Sequence, residues 1–119
     1  MPQSQICSPT EAAYIAGFFD GEGSINITNK GQVRVVMSQK KPEVLYWIRD
    51  TLGGGTVRQL TKRGEAYECW RYGVYSIRQV CSFLDMVLPY VVVKRREVMR
   101  ARELMKIPGR QRIGLKIRG

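Results

Sequence analysis

The sequence predicts an α+β domain in which four strands form one antiparallel sheet with helices on one face. Three observations predict it. Two pairs of segments, within 24–38 and 56–74, alternate polar and apolar residues around short Gly-containing turns, as β-hairpins do. A stretch with helical spacing precedes each pair, and two more follow the second, giving the order α-β-β-α-β-β-α-α. At 119 residues with 44% hydrophobic content, the chain suits one globular domain with a modest core and is too apolar for a disordered one.

Residues 1–9 are polar with two prolines and read as a leader before a domain over 10–107. Ser8 or Thr10 can cap the first helix, with Glu11 in its first turn; Thr10-x-x-Ala13 is no capping box. Ala12, Ala13, Tyr14, Ile15, Ala16, Phe18 and Phe19 run nearly all round this helix, so it is expected to be buried or sandwiched. Ser24–Thr28 then alternates, Asn29-Lys30-Gly31 turns, and Gln32–Ser38 alternates again with a lapse at Val36. Pro42 opens a second helix to Leu52 with Val44, Leu45, Ile48 and Leu52 inward, and Gly53-Gly54-Gly55 stops it. The second hairpin runs Thr56–Thr61, a turn at Lys62-Arg63-Gly64, then Ala66–Val74. A third helix spans Ser76–Val87 and ends before Pro89; a fourth runs from Val92 to Lys106. Residues 108–119 read as a basic tail.

Composition narrows the function. The chain has no histidine, which excludes His general bases, His metal ligands and Ser/Cys–His dyads. Twenty basic and 10 acidic residues give a net charge of +10, and residues 94–119 hold ten of the Lys/Arg against Glu97 and Glu103. Clustered positive charge of this kind marks a binder of polyanions. Cys7, Cys69 and Cys81 lack metal-ligand spacing and read as thiols of a protein in a reducing, intracellular compartment, or as one incidental pair. No apolar run is long enough for a membrane span, and the polar start is not expected to act as a signal peptide.

The polar face of the predicted sheet has the same bias. The first hairpin offers Ser24, Asn26, Thr28, Gln32, Arg34 and Ser38; the second offers Thr56, Arg58, Lys62, Arg63 and Arg71. This face is rich in hydrogen-bonding and basic groups with almost no acid, which suits strands lying in a DNA groove. Lys40, Arg95 and Arg96 are further candidate nucleic-acid contacts. Tyr67, Trp70, Tyr72 and Tyr75 read as core and sheet-face packing.

The segment Tyr14–Gly23 carries the most chemistry. Ala13, Gly17 and Gly21 recur at helical spacing and would let a second helix approach closely. Asp20 and Glu22 sit where the helix ends, and a helix C-terminus is partially negative, so carboxylates there need compensation, for which a cation is one candidate. Ile15 through Gly23 resembles the nine-position signature of the LAGLIDADG homing endonucleases. Val36-Met37-Ser38-Gln39-Lys40 and Leu88-Pro89-Tyr90-Val91-Val92-Val93-Lys94 resemble two further segments of that family, in the expected order.

The resemblance implies the αββαββα fold with a saddle-shaped sheet on DNA. It places Glu22 as the metal-binding acid, where the family usually has Asp, with Gln39 positioning a water network and Lys94 stabilising charge on the phosphate. Asp20 is expected to hydrogen-bond nearby backbone at the helix end, with direct metal ligation the second choice. Mg²⁺, or another divalent ion such as Mn²⁺, is the implied cofactor. One signature without an internal repeat implies a homodimer through Ala13, Gly17 and Gly21 that brings two Glu22 side chains together. The implied activity is staggered double-strand cleavage of a long, nearly palindromic DNA site, tied to intron or intein mobility. The alternative is an intron RNA maturase or a non-cleaving DNA/RNA binder of the same fold.

Overall fold

The computed structural model describes residues 7–106, so the expected basic tail and all but the end of the leader lie outside the described residues. The elements are α1 (Pro9–Glu22), β1 (Gly23–Ile27), β2 (Val33–Gln39), α2 (Glu43–Leu52), β3 (Thr56–Lys62), β4 (Glu65–Val74), α3 (Ile77–Val87) and α4 (Arg95–Lys106). The expected order and the single antiparallel sheet are both present, with strands arranged β1-β2-β4-β3. Thus β2 and β4 are central, and β1 and β3 are edges.

Two of the helices start where a side chain satisfies free N–H groups. Ser8 and Glu11 form a reciprocal capping box on α1: Ser8 Oγ accepts from Glu11 N at 3.1 Å and Glu11 Oε1 from Ser8 N at 2.9 Å. The box begins at Ser8, one of the two expected caps, and Thr10-x-x-Ala13 forms none. It also moves Ser8 and Pro9 from leader to helix start. Ser76 caps α3, accepting from Gln79 N at 3.2 Å. The fourth helix starts at Arg95, three residues later than expected.

The sheet register separates two faces. Gly23 pairs with Met37, Val35 with Val74 and Met37 with Tyr72, so Val35, Met37, Tyr72 and Val74 face the helices and are buried. Against them pack Ile15, Ala16 and Phe19 of α1, Leu45 and Ile48 of α2, Val80, Phe83, Leu84 and Val87 of α3, and Val98 and Ala101 of α4. Phe19 meets Phe83 edge-on at 5.2 Å. Tyr72 donates its hydroxyl to the Gly54 carbonyl at 2.7 Å, and burial pushes its pKa up to about 12. Gly55, in the left-handed region at φ 97°, lies against this ring, 2.5 Å from where a Cβ would sit.

Within one copy, α1 is covered on one side only. Only the stripe Ala12, Ile15, Ala16 and Phe19 is buried, at the i, i+3, i+4, i+7 spacing of a one-sided helix. Ala13, Tyr14, Gly17 and Gly21 are exposed, Tyr14 at 58%. The helix is therefore packed on one side and uncovered on the other.

Gly23 joins α1 to β1 with ordinary extended backbone, so its lack of a side chain reflects space alone. A Cβ there would collide with the Phe19 ring. Gly23→Ala is expected to destabilise the fold by about 1–3 kcal/mol, the usual effect of overpacking a core. Urea unfolding checks it, and an unchanged midpoint would mean that Phe19 moves aside freely.

Candidate active site and nucleic-acid interface

The end of α1 is tied to a segment far away in sequence. Asp20 Oδ2 accepts from Val92 N at 2.7 Å and Oδ1 from Lys94 N at 3.0 Å. Lys94 returns the contact, its Nζ donating to the Asp20 carbonyl oxygen at 2.7 Å while lying 5.9 Å from the centre of the Phe19 ring. An ammonium at the last carbonyls of a helix also meets the negative end of its dipole. Asp20 therefore bonds backbone, but that of residues 92–94 and not the nearby turn the sequence suggests. Lys94 sits at the start of α4, its carbonyl accepting from Val98 N at 2.9 Å.

These contacts set the charge state of Asp20. Burial pushes its pKa up, but the N–H groups of Val92, Lys94 and Val93 and the Lys94 ammonium outweigh it, and the net shift is down. A cation at Asp20 would have to compete with these donors. Glu22, the last residue of α1, is exposed, and its carboxylate has no hydrogen-bond or ion-pair partner among the described residues.

Gln39 ends β2, and the Gly23–Met37 pairing puts that end of β2 beside the end of α1. Its Oε1 accepts from Lys40 N at 2.8 Å, which leaves the amide NH₂ as a donor. The fold thus gathers Glu22, Gln39 and Lys94 at one end of the molecule, where α1 gives way to the sheet and α4 begins. Just beyond, Val92 and Val93 are exposed at 78% and 72%.

The open face of the sheet carries most of the expected polar set. Ser24 pairs with Val36, Asn26 with Arg34, Ser38 with Arg71, and Arg71 with Arg58, so these residues share the face turned away from the helices. Thr56 joins them through its pairing with Gly73. The lapse at Val36 is an apolar residue on this polar face. Thr28 and Gln32 lie outside the strands: Thr28 Oγ1 accepts from Gln32 N at 3.1 Å and closes the β1–β2 turn. This corrects their placement on the alternating strand face, because the hydroxyl is used to hold the turn.

Lys62 and Glu65 pair at the tip of the second hairpin, leaving Arg63 and Gly64 as a two-residue loop with φ of 55° and 82°. Positive φ at both positions is the geometry of a type I′ turn, which Asn-Gly or Gly-Gly would adopt more easily than Arg-Gly. Tyr75 leans onto Gly73, where a Cβ would meet its ring, and the Arg34 guanidinium lies 6.0 Å from the ring centre. Tyr75 is thereby an exposed ring against the floor of the open face. Lys40, Arg95 and Arg96 are exposed, Arg95 donating to the Leu88 carbonyl at 3.1 Å.

Residues 9–87 match the LAGLIDADG-like domain family. The chain belongs to this family. No curated protein matches it at a significant level. Among solved structures, the homing endonuclease I-CvuI in complex with its DNA target is 25% identical, with a TM-score of 0.72 over 87% of this chain and 71% of that one. The homing endonuclease I-TnaI is 18% identical, with a TM-score of 0.70 over 90% of this chain and 77% of that one, and shares the fold. The LAGLIDADG meganuclease I-AabMI, bound to uncleaved DNA, is 19% identical with a TM-score of 0.69; 86% of this chain matches only 38% of that longer one. Family and fold together make this a protein with the LAGLIDADG-like domain.

Asp20→Ala should cost about 1–2 kcal/mol, as loss of a helix-end capping group does. Because the folded-state pKa of Asp20 lies below its unfolded value, its contribution is complete at neutral pH and fades as pH falls through that folded value. Urea unfolding at neutral and strongly acidic pH checks this. The difference between wild type and variant should shrink in acid, and a constant difference would exclude the carboxylate as the cause.

Proposed function

We propose that two copies of this chain assemble on double-stranded DNA and cut both strands by Mg²⁺-dependent phosphodiester hydrolysis, as a homing endonuclease does. The observation that carries the reading is Glu22: an exposed, unpartnered carboxylate at the end of α1, beside the anchored Lys94 and the uncovered stripe Ala13, Gly17 and Gly21. A folded protein gains little from a bare carboxylate at the negative end of a helix; a metal site does.

The donor set fits Mg²⁺, which keeps several waters and takes one or two carboxylates together with phosphate oxygens. No group of three His, Cys, Asp or Glu that could hold a metal exists among the described residues, so one copy supplies part of a coordination shell. A second copy and the scissile phosphates would supply the remaining ligands. Mg²⁺, or Mn²⁺, held there supplies Lewis-acid activation of the phosphate and of the attacking water. Lys94 holds positive charge where the phosphate becomes more negative, and the free NH₂ of Gln39 orients water. The polar face docks the major groove on each side, and the two sites cut with a stagger across the minor groove between them. Pairing two copies makes the target a long near-palindrome. Mobility of an intron or intein is the associated biology, in an intracellular, reducing compartment. Cys69 and Cys81 form no disulfide among the described residues, and no helix among the described residues is long and apolar enough to cross a membrane.

Glu22→Gln should abolish cleavage of a target plasmid in Mg²⁺ while leaving DNA affinity within about tenfold, because phosphate contacts elsewhere supply most of it. Cutting at the wild-type rate would remove Glu22 from the mechanism. A wild-type chain that binds but never cuts would favour the maturase or non-cleaving binder.

The pairing has its own test. A Cβ at Gly17 or Gly21 meets nothing within 4 Å in the single chain, so Gly17→Leu should leave the folded monomer intact. At a close helix crossing it should push two copies apart, with a penalty of about 1–3 kcal/mol or more. Light scattering on the DNA target should find the variant monomeric and unable to make double-strand breaks. A dimer of unchanged affinity would move the interface elsewhere.

A further inference from the structure

We propose that residues 112–118 add to the free edge of β1 as a fifth strand and carry Arg112, Lys116 and Arg118 onto the open face of the sheet. Such docking belongs to the folded chain alone, with or without DNA.

The outer backbone groups of β1 can be named. Thr28 N donates to the Gln32 carbonyl at 2.9 Å, one step beyond the Ile27–Val33 pair. Direction alternates along an antiparallel strand, so the N–H and C=O groups of Asn26 and Ser24 also turn to β2, and those of Ile25 and Ile27 point off the sheet. Gly23 N is already used, on the Phe19 carbonyl. The two edges of the sheet are protected differently. β3 carries Arg58 and Lys62 and shifts register between Gln59 and Thr61, devices that discourage further pairing. β1 has no charge, no proline and no irregularity, and its shortness is all that guards it. Ile27, on the side of the sheet that carries the helices, is 46% exposed.

The segment Arg112-Ile113-Gly114-Leu115-Lys116-Ile117-Arg118 lies outside the described residues and has the complementary pattern in sequence. Its apolar residues fall on every second position and its basic ones on the others. Beside β1, Ile113, Leu115 and Ile117 cover Ile25 and Ile27, while the basic set joins Ser24 and Asn26 on the open face, to which β1 itself brings no charge. A slip of one residue would reverse both faces, so the pairing uses the odd-numbered amides of the segment. Reach does not limit it. Pro108-Gly109 is a turn signal just after α4, and α4 packs against β1. Residues 107–111 span up to about 17 Å when extended, close to the length of α4 itself, about 18 Å. A second copy's β1 is the competing occupant, but a tethered segment meets the edge at a far higher effective concentration.

Amide hydrogen exchange of the full chain without DNA, followed residue by residue by NMR, tests this. Ile25 and Ile27 should exchange about 10-fold or more slowly than free edge amides, and Ile113 and Leu115 should be protected with them. Leu115→Ser should return the other three to fast exchange while Met37, on a central strand, stays protected and reports an intact fold. Lys116→Ser, one residue along and on the opposite face, should leave the protection unchanged. Fast exchange at Ile25 and Ile27 in the wild-type chain overturns the proposal, as does protection that survives Leu115→Ser or is lost in Lys116→Ser. Protection that rises with protein concentration assigns the edge to a second copy and overturns it as well.

Discussion

The reciprocal contact between Asp20 and Lys94 is the constraint on which the rest depends. It joins the end of α1 to the start of α4 across 74 residues, through a carboxylate taking two backbone N–H groups and an ammonium returning to a backbone carbonyl. Neither partner could be replaced by simple burial. The carboxylate is stable at a helix C-terminus only because these donors outweigh the dipole there. The ammonium is held at that point only because the carbonyl fixes it. With both ends pinned, Glu22 leaves α1 in a defined direction and Gly23 starts β1 against Phe19. The position of the free acid is thus set by an acid that is fully engaged.

The same economy explains why local rules are broken on the open face. The fold opposes two arginines across β3 and β4, and it puts Arg63 in a left-handed turn position better suited to Asn or Gly. The turn position works against stability, and both choices put positive charge where strands would meet DNA. The core behind the sheet is correspondingly regular: aliphatic and aromatic side chains from four helices, and no buried polar or charged residue among those described. A sequence whose local and global preferences agree everywhere except on one face marks that face as the working one.

The strands were legible because alternation has a period of two and a slip of one residue would turn every side chain over. Even the lapse at Val36 did not mislead, since Arg34 and Ser38 fix the face to which it belongs. Helix starts were less legible. Ser8-x-x-Glu11 is a sequence signature of a capping box, hidden only by looking for it two residues later. The delayed start of α4 has no local signal at all, since Val92-Val93-Lys94 has helix-compatible composition and is held out of the helix by Asp20. The polar face was read correctly where strand register decides it, and missed at Thr28 and Gln32, where a side chain closing a turn looks in sequence like one facing solvent. The exposure of one side of α1 within a single copy followed from its small-residue stripe and not from its apolar content. Apolar residues all round a helix say that both sides need cover, not that the same chain provides it.

That last point bears most on function. Along α1 the buried stripe ends at Phe19 and the exposed small stripe ends at Gly21, and the two converge on Glu22. Packing against the sheet fixes the helix, and so the acid, within one copy. The uncovered side, where added Cβ atoms meet nothing, is open to the second helix that the proposed pairing requires. An acid that lies at the meeting of a filled stripe and an open one is rigid with respect to its own sheet and adjustable only with respect to a partner. For the proposed pair of staggered cuts that is the required division. Each sheet would set its distance to its own half-site, and the crossing of two α1 helices would set the distance between the two acids.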